Sequence, residues 1–308
     1  KNKLNLLMKK ILITGSHGFL GRNISKILSK KSFIVYGIGN GNWSKNYYKK
    51  WGFDYLLNGE VNLKNLCKNF KNFDYVIHCA GSGKIGLPYK KDFNKNVNSI
   101  KSVLEFIKHT SPKSKVIYLS SYSVYGENYK FTLKENFKTK PVSIYAKNKK
   151  KAENLCINYS NKHNSDLLIM RVASLYGEGL KKQFIYEACQ KIKNKKNDFY
   201  GTGEEKRDFI HISDMCTLVL HFLKKDFKGI NVINCGTGNG QKIKTVLNLI
   251  LKHLKVDIKP IFNRAGLKDN PKNLIANIKK LKSLGFSPKK NFNVGIKQYV
   301  NWYKKKYI

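Results

Sequence analysis

Acidic residues are scarce in this chain: 19 Asp and Glu stand against 60 Lys and Arg, a formal net charge of +41 over 308 residues. Such an excess favours polyanionic partners, whether nucleic acid, anionic lipid or a diphosphate. The lysines are spread among many asparagines instead of being blocked into one arm, so a solvated basic surface accounts for them and specific nucleic-acid binding is not expected. The six cysteines (Cys67, Cys79, Cys156, Cys189, Cys216, Cys235) contain no C-x-x-C pair. That excludes the usual zinc and redox signatures, and thiols in apolar runs read as reduced core residues of a cytoplasmic protein. The seven histidines lack metal-ligand spacing, so no metal is expected. No apolar run approaches the roughly 20 residues of a membrane span. The short run from Leu4 to Met8 is too brief for a signal-peptide core, and Met8 reads as a natural start. No internal repeat is visible. What remains is a globular chain, 41% hydrophobic, able to build one large or two unequal domains.

Against these absences, residues 10–22 (KILITGSHGFLGR) stand out as an apolar strand, a glycine-spaced turn and the opening of a helix. Gly15 permits a tight strand-to-helix turn, Gly18 lets backbone approach a pyrophosphate at a helix N-terminus, and Gly21 lets helix and strand pack closely. A glycine-rich turn without ligand is the plain alternative for this motif alone. Further strands are expected at 33–38, 54–57, 74–81 and 115–119, alternating with helices that include 62–70 and 92–110. Alternation at this pitch implies βαβ units and a doubly wound parallel sheet. At the end of the second strand, where an NAD enzyme usually places an acid for the adenosine ribose, the chain has Gly39-Asn40-Gly41-Asn42. The missing carboxylate, with a nearby amide and the Lys45 cation, leaves room for a 2′-phosphate and tips the reading toward NADP over NAD, a loop facing solvent being the close alternative. Glu60 and Val61 could approach the adenine, and Cys79, Ala80 and Gly81 are small enough for backbone to pass a flat cofactor.

The strand at 115–119 runs into Ser120-Ser121-Tyr122-Ser123, and the next helix, 143–162, carries Tyr145 and Lys149. A spacing of i, i+4 puts both on one helical face. A cation beside a phenol favours its ionised form, and a Ser121 hydroxyl could bond both phenol and substrate oxygen, an acid/base set suited to proton movement during hydride transfer. A surface tyrosine beside a solvated lysine is the alternative.

At these residues the chain resembles the extended short-chain dehydrogenase/reductase family of nucleotide-sugar epimerases, dehydratases and reductases. The resemblance runs from Ile11 to about Tyr303 and includes the segments at 121–126 (SYSVYG), 171–179 (RVASLYGEG), 201–214 (GTGEEKRDFIHISD), 234–238 (NCGTG) and 284–288 (LGFSP). It implies an α/β fold: a Rossmann domain with a doubly wound parallel sheet, mainly residues 1–172, and a smaller C-terminal α/β substrate domain, mainly 173–308, with segments partly interleaved. By matching position Ser121, Tyr145 and Lys149 would be catalytic. Gly15, Gly18, Phe19, Leu20, Gly21, Gly39, Asn40, Glu60, Val61, Cys79, Ala80, Gly81 and Asn96 would line the cofactor with Tyr145 and Lys149, the lysine holding the nicotinamide ribose.

Ser121, Ser123, Ser174, Arg207 and Arg264 would meet a nucleotide-diphosphate sugar, the arginines at the diphosphate. Without the family, Arg207 could simply pair with Asp208. Three departures matter. Tyr122 and Ser123 stand where dehydratases of this family carry an acidic pair, which disfavours a 4,6-dehydratase. Ser174 replaces a substrate-contacting asparagine of many epimerases, and Leu267 replaces an aspartate that some use for the nucleotide ribose. The expected activity is epimerisation at C4 through a transient 4-keto sugar, in a homodimer formed through the helices at 92–110 and 143–162. The alternatives are an NADPH-dependent 4-keto-sugar reductase and, from another class, a catalytically silent Rossmann-like protein that binds RNA or another polyanion. Later helices are expected at 183–196, 213–224, 242–254 and 294–304, with a strand at 230–233, as parts of the substrate clamp; 263–277 reads as a loop over the sugar.

Overall fold

Ile11, Leu12 and Ile13 have no exposed surface, because β1 (Lys10–Thr14) is covered on both faces. A computed structural model of the chain describes residues 8–83, 87–126, 131–265 and 271–308. In it β1 pairs in parallel with β2 (Ile34–Gly39) on one side and β4 (Tyr75–His78) on the other. β3 (Tyr55–Asn58) continues beyond β2, and β5 (Lys115–Ser121) beyond β4, both parallel. With β6 (Leu167–Val172) and β10 (Ile230–Cys235) the sheet has seven strands in the order β10-β6-β5-β4-β1-β2-β3. The strand order reverses at β1, and the carboxyl ends of β1 and β4 frame the crevice in which doubly wound sheets take ligands.

Helices at 3.6-residue periodicity cover this sheet: α1 (Phe19–Leu28), α2 (Lys45–Lys50), α3 (Leu63–Asn69), α4 (Tyr89–Phe93), α5 (Ser99–Thr110) and α6 (Ile144–His163). One core cluster unites Leu66 of α3, Ile100, Val103, Leu104 and Ile107 of α5, and Ala152 and Cys156 of α6 with Leu12, Val76, Val116 and Ile169 of the sheet. Each such aliphatic side chain contributes about 1.5–3 kcal/mol on burial.

Two expectations need correction. The helix expected over 92–110 is present but not α-helical throughout: a π-helical turn at Asn94–Asn98 lies between α4 and α5. Within it the Asn96 side-chain amide donates to the Asp92 carbonyl at 3.2 Å, the acceptor that an α-helical Asn96 backbone N–H would use. Second, the strand at 230–233 does not belong to a separate clamp sheet. Its residues extend to Cys235 and lie at the edge of the main sheet beside β6.

The chain divides into two compact units. The first comprises residues up to Ser120, Lys147–Met170 and Val219–Val232, and the second Ser121–Ala146, Arg171–Leu218 and Ile233–Ile308. The second unit contains a small sheet of β7 (Ser174–Tyr176), β9 (Lys206–His211), β11 (Gly240–Lys242) and β13 (Asn273–Leu274), plus a parallel pair of β8 (Asp198–Phe199) and β12 (Ile261–Phe262). Among its helices α9 (Ile243–Leu254) packs against α7 (Gln183–Lys193) and α11 (Phe292–Tyr307), burying Ile192, Val246, Ile250, Tyr299 and Tyr303. α8 (Ile212–Lys225) follows β9, and α10 (Lys279–Ser283) precedes α11. Among the described residues no helix is long and apolar enough to cross a membrane.

Candidate dinucleotide and sugar site

The glycine turn is closed too tightly for side chains. Gly15 has φ +72°, and a Cβ there would stand 2.6 Å from the Ala80 nitrogen; one on Gly21 would stand 2.5 Å from the Gly15 carbonyl. The Gly15 and Ser16 N–H groups donate to the Ile38 carbonyl at 2.8 and 3.2 Å, locking the turn onto β2. Gly18 is the N-cap of α1, no side chain caps that helix, and no acid lies in its first turn. Its opening N–H groups, those of Phe19 and Leu20 among them, are therefore suited to an anion. Phe19 is itself buried, so what it offers a ligand is backbone. A bare, uncapped helix start over a cradle that any Cβ would fill fits the pyrophosphate of a dinucleotide.

β4 ends at His78, so Cys79, Ala80 and Gly81 form the small-residue exit beside the turn instead of belonging to the strand. Gly81 has φ +146°, and a Cβ on it would lie 2.6 Å from Asn96 Oδ1 and 3.6 Å from Lys149 Nζ. Gly81, Asn96 and Lys149 thus converge. Asn96 is fully buried; its amide donates to Asp92 Oδ1 at 3.1 Å, and its Oδ1 accepts from the Ser82 N–H at 3.3 Å. Asn148 of α6 donates to the same Asp92 Oδ1 at 2.7 Å, so a buried carboxylate ties the helix that carries Lys149 to the π-helical turn. Around the adenosine end, Asn40 and Glu60 are exposed, Val61 is half-buried against the core, and Gly39 abuts the glycine turn through Ser16 and His17.

Lys149 is buried, donates to the Leu119 carbonyl at 2.8 Å and lies 4.9 Å from the Tyr118 ring centroid. Burial lowers its pKa from 10.5 to about 8, against the opposing pull of Cys79, Glu153, Cys156 and Asp92. Burial, with the Lys149 charge second, pushes neighbouring His78 down to about 3, leaving a neutral ring bonded to Thr14 Oγ1 at 2.8 Å. Tyr145 is half-buried on the first turn of α6, one turn ahead of Lys149. That helix starts where Ser143 Oγ accepts the Ala146 N–H at 3.2 Å.

Within the second unit, Ser121 ends β5, and its Oγ accepts from the Ser123 N–H at 3.2 Å and the Ser123 hydroxyl at 3.0 Å. These two substrate candidates are together. Ser174 begins β7, pairing in register with Phe209 of β9, the strand that also carries Arg207. Burial pushes the Arg207 guanidinium down to about 10, with Glu205 opposing, and its Nη1 donates to the Lys206 carbonyl at 2.8 Å. Arg264 is exposed in the turn after β12, in a left-handed conformation (φ +58°), its N–H held by the Gly201 carbonyl at 3.0 Å. Arg207 stands on a strand, Arg264 in a turn after a different strand pair. Leu267 and Gly266 lie outside the described residues, and the expected loop over 263–277 includes the short strand β13 paired with β9.

Some motif residues prove architectural. Asp208 accepts from the Thr237 N–H and hydroxyl, the Gly238 N–H and the Ala276 N–H, which occupies it within the 234–238 turn. Glu205 likewise accepts from Thr202 and Gly203, closing the loop that 201–205 make. Sequence reasoning passed over Asp92, Asn148 and His17. Only a partner remote in sequence reveals the first two, whereas His17 offered a signal: an imidazole inside a glycine turn two positions after Gly15.

The model of the NAD dependent epimerase/dehydratase family matches residues 11–236. UDP-glucuronate 4-epimerase 4 of Arabidopsis thaliana is 26% identical over 95% of this chain and 75% of its own. A putative UDP-glucose 4-epimerase of Methanocaldococcus jannaschii is 27% identical over 96% and 98%. The structure of UDP-glucuronic acid 4-epimerase from Bacillus cereus, in complex with UDP-glucuronic acid and NAD, superimposes with a TM-score of 0.85 at 24% identity, covering 97% of this chain and all of that one.

Proposed function

The chain belongs to the NAD dependent epimerase/dehydratase family, and on that premise we propose that it inverts C4 of a nucleotide-diphosphate sugar, with UDP-hexoses as the substrate class. The observation that carries the reading is Lys149: a buried lysine beside Gly81 and Asn96, one helical turn after Tyr145 and bonded to the strand that ends in Ser121. A bound dinucleotide would supply the hydride acceptor and donor. Tyr145, as phenolate, takes the C4 hydroxyl proton and later returns it. Lys149, mostly charged at neutral pH, stabilises the phenolate and holds the nicotinamide ribose. Ser121 bonds the reacting oxygen, its hydroxyl oriented by Ser123. Ser174, Arg207 and Arg264 hold the nucleotide sugar, the arginines at its diphosphate.

The relatives named above are 4-epimerases, which favours epimerisation over keto-sugar reduction or mere polyanion binding. An epimerase regenerates its cofactor in each turnover. Incubation with UDP-glucose, UDP-glucuronate and UDP-N-acetylglucosamine without added dinucleotide therefore yields the C4 epimer of at least one; no epimer from any, together with NADPH-dependent consumption of a 4-keto sugar, would establish the reductase instead. On charge alone the absent acid at Gly39 favours NADP, but the 4-epimerase structure named above, which is in complex with NAD, supports NAD. A homodimer through the helices at 92–110 and 143–162 and a cytoplasmic location complete the proposal, the first tested by sedimentation equilibrium.

A further inference from the structure

Lys149 is not the only ionisable side chain buried by its face of α6. Glu153, one helical turn further on, has no exposed surface, and the i, i+4 spacing puts it on the same side of the helix. Its Oε1 accepts from the Ser120 hydroxyl at 2.6 Å, a charge-assisted length, and its Oε2 lies 3.4 Å from the partly exposed Lys150 ammonium. Lys149 donates to the Leu119 carbonyl at 2.8 Å. Two successive residues of β5, Leu119 and Ser120, are thus tied to two side chains one turn apart on α6, immediately before Ser121. Neither Ser120 nor Glu153 takes part in the proton movements assigned to Ser121, Tyr145 and Lys149. A carboxylate without exposed surface is costly, and a serine hydroxyl offsets only part of that cost.

What the carboxylate acts on follows from the groups around Lys149. His78 and Cys79 face it from β4 and its exit, Asp92 from α4, and Cys156 and Glu153 from α6; β5 adds the Leu119 carbonyl and the Tyr118 ring. His78 is neutral, pushed down to about 3 by burial and then by Lys149. Burial pushes the Cys79 thiol up to about 12 and the Cys156 thiol up as well, so neither is an anion where Lys149 titrates. Asp92 has its charge met by the amide N–H groups of Asn96 and Asn148. Of the groups that pull on the ammonium, Glu153 is then the strongest anion.

We propose that Glu153 is a positioning residue of the reaction: its buried charge holds the Lys149 side chain as an ammonium, and its bond to Ser120 sets the end of β5 against α6. With no exposed surface it reaches no ligand and acts through Lys149. The proposal rests on the epimerase reading for what that ammonium does. Without Glu153, burial meets less opposition, Lys149 sheds its proton at a lower pH, and the Tyr145 phenolate loses its cation there.

Two variants separate charge from bond. Glu153→Gln removes the charge and keeps an oxygen for Ser120, whereas Ser120→Ala removes the bond and keeps the charge. In denaturant unfolding, the pH at which the full chain begins to gain stability over its Lys149→Met counterpart reads the Lys149 titration without any activity, because the folded chain releases this proton only above it. In the Glu153→Gln background this onset falls by about one pH unit, the effect of one buried opposite charge, and in the Ser120→Ala background it stays. With a UDP-hexose, the alkaline limb of kcat moves down by the same interval in Glu153→Gln, a loss of about threefold at roughly pH 7.5, with KM nearly unchanged. If Glu153→Gln alone does not fold, Lys149→Met/Glu153→Gln decides: it folds, because no ammonium is left without its counter-charge. An unmoved onset in Glu153→Gln, an equal shift in Ser120→Ala, or a double variant that fails along with the single one would overturn the proposal and leave the epimerase reading intact. No epimerisation by the wild type would overturn that reading instead, while a lowered onset still upheld the charge on Lys149.

Discussion

Replacing Lys149 with Met should make the protein inactive and, near neutral pH, more stable. The ammonium is buried, and folding lowers its pKa from 10.5 to about 8. Between these values the unfolded chain holds a proton that the folded chain has released, so stability rises with pH across this window and the charging penalty is fully present below it. A shift of this size corresponds to roughly 3 kcal/mol at 1.36 kcal/mol per pH unit. Integrated over the part open to experiment, from about pH 7 to about pH 9.5, it amounts to about 2 kcal/mol. The variant has no such group. Denaturant unfolding of both proteins at the two pH values should thus show wild type gaining about 2 kcal/mol relative to Lys149→Met as pH rises. Taking this difference cancels the other lysines, which titrate in both proteins. Parallel stability curves would refute the burial argument, and with it the claim that folding holds a costly cation next to Gly81.

Tyr145→Phe keeps the ring but removes the proton acceptor: epimerisation falls by about 10²–10⁴-fold, while Tm, read by calorimetry, stays close to wild type. Gly81→Ala forces a side chain to within 2.6 Å of Asn96 Oδ1 at φ +146°, so it costs about 1–3 kcal/mol in denaturant unfolding and weakens dinucleotide binding in titration calorimetry. Asp208→Asn leaves a buried acceptor set partly replaced by an NH₂ group facing the N–H donors of Thr237, Gly238 and Ala276. It costs about 2–3 kcal/mol of stability by the same unfolding assay, and the folded fraction keeps its specific activity.

Features written in local pattern were legible before the fold was seen. The run Ile11–Ile13 before Gly15 announces a buried strand and a tight turn, and the i, i+4 pair of Tyr145 and Lys149 needs only helical geometry. Features that depend on a remote partner were not. At the π-helical turn Asn96 turns its amide onto Asp92, and Asp92 also accepts from Asn148 of another helix. β6 opens on the short apolar run Leu167–Met170, which periodicity alone cannot tell from buried helix, and β10 reaches its place beside β6 only through pairing. Gly39 is the sharpest instance. By itself it marks a missing charge and points to NADP; only the structure shows the ring of His17, delivered from the glycine turn, packed against it.

In the proposed reaction the hydrogen leaves C4 and returns to the same carbon while Tyr145 handles only the hydroxyl proton. A UDP-hexose deuterated at C4, converted in ordinary water without added cofactor and analysed by NMR, tests this directly. C4-epimerised product that retains deuterium at C4 is expected. Epimer whose label has washed into solvent would contradict it, since that would mean C4 is deprotonated and reprotonated.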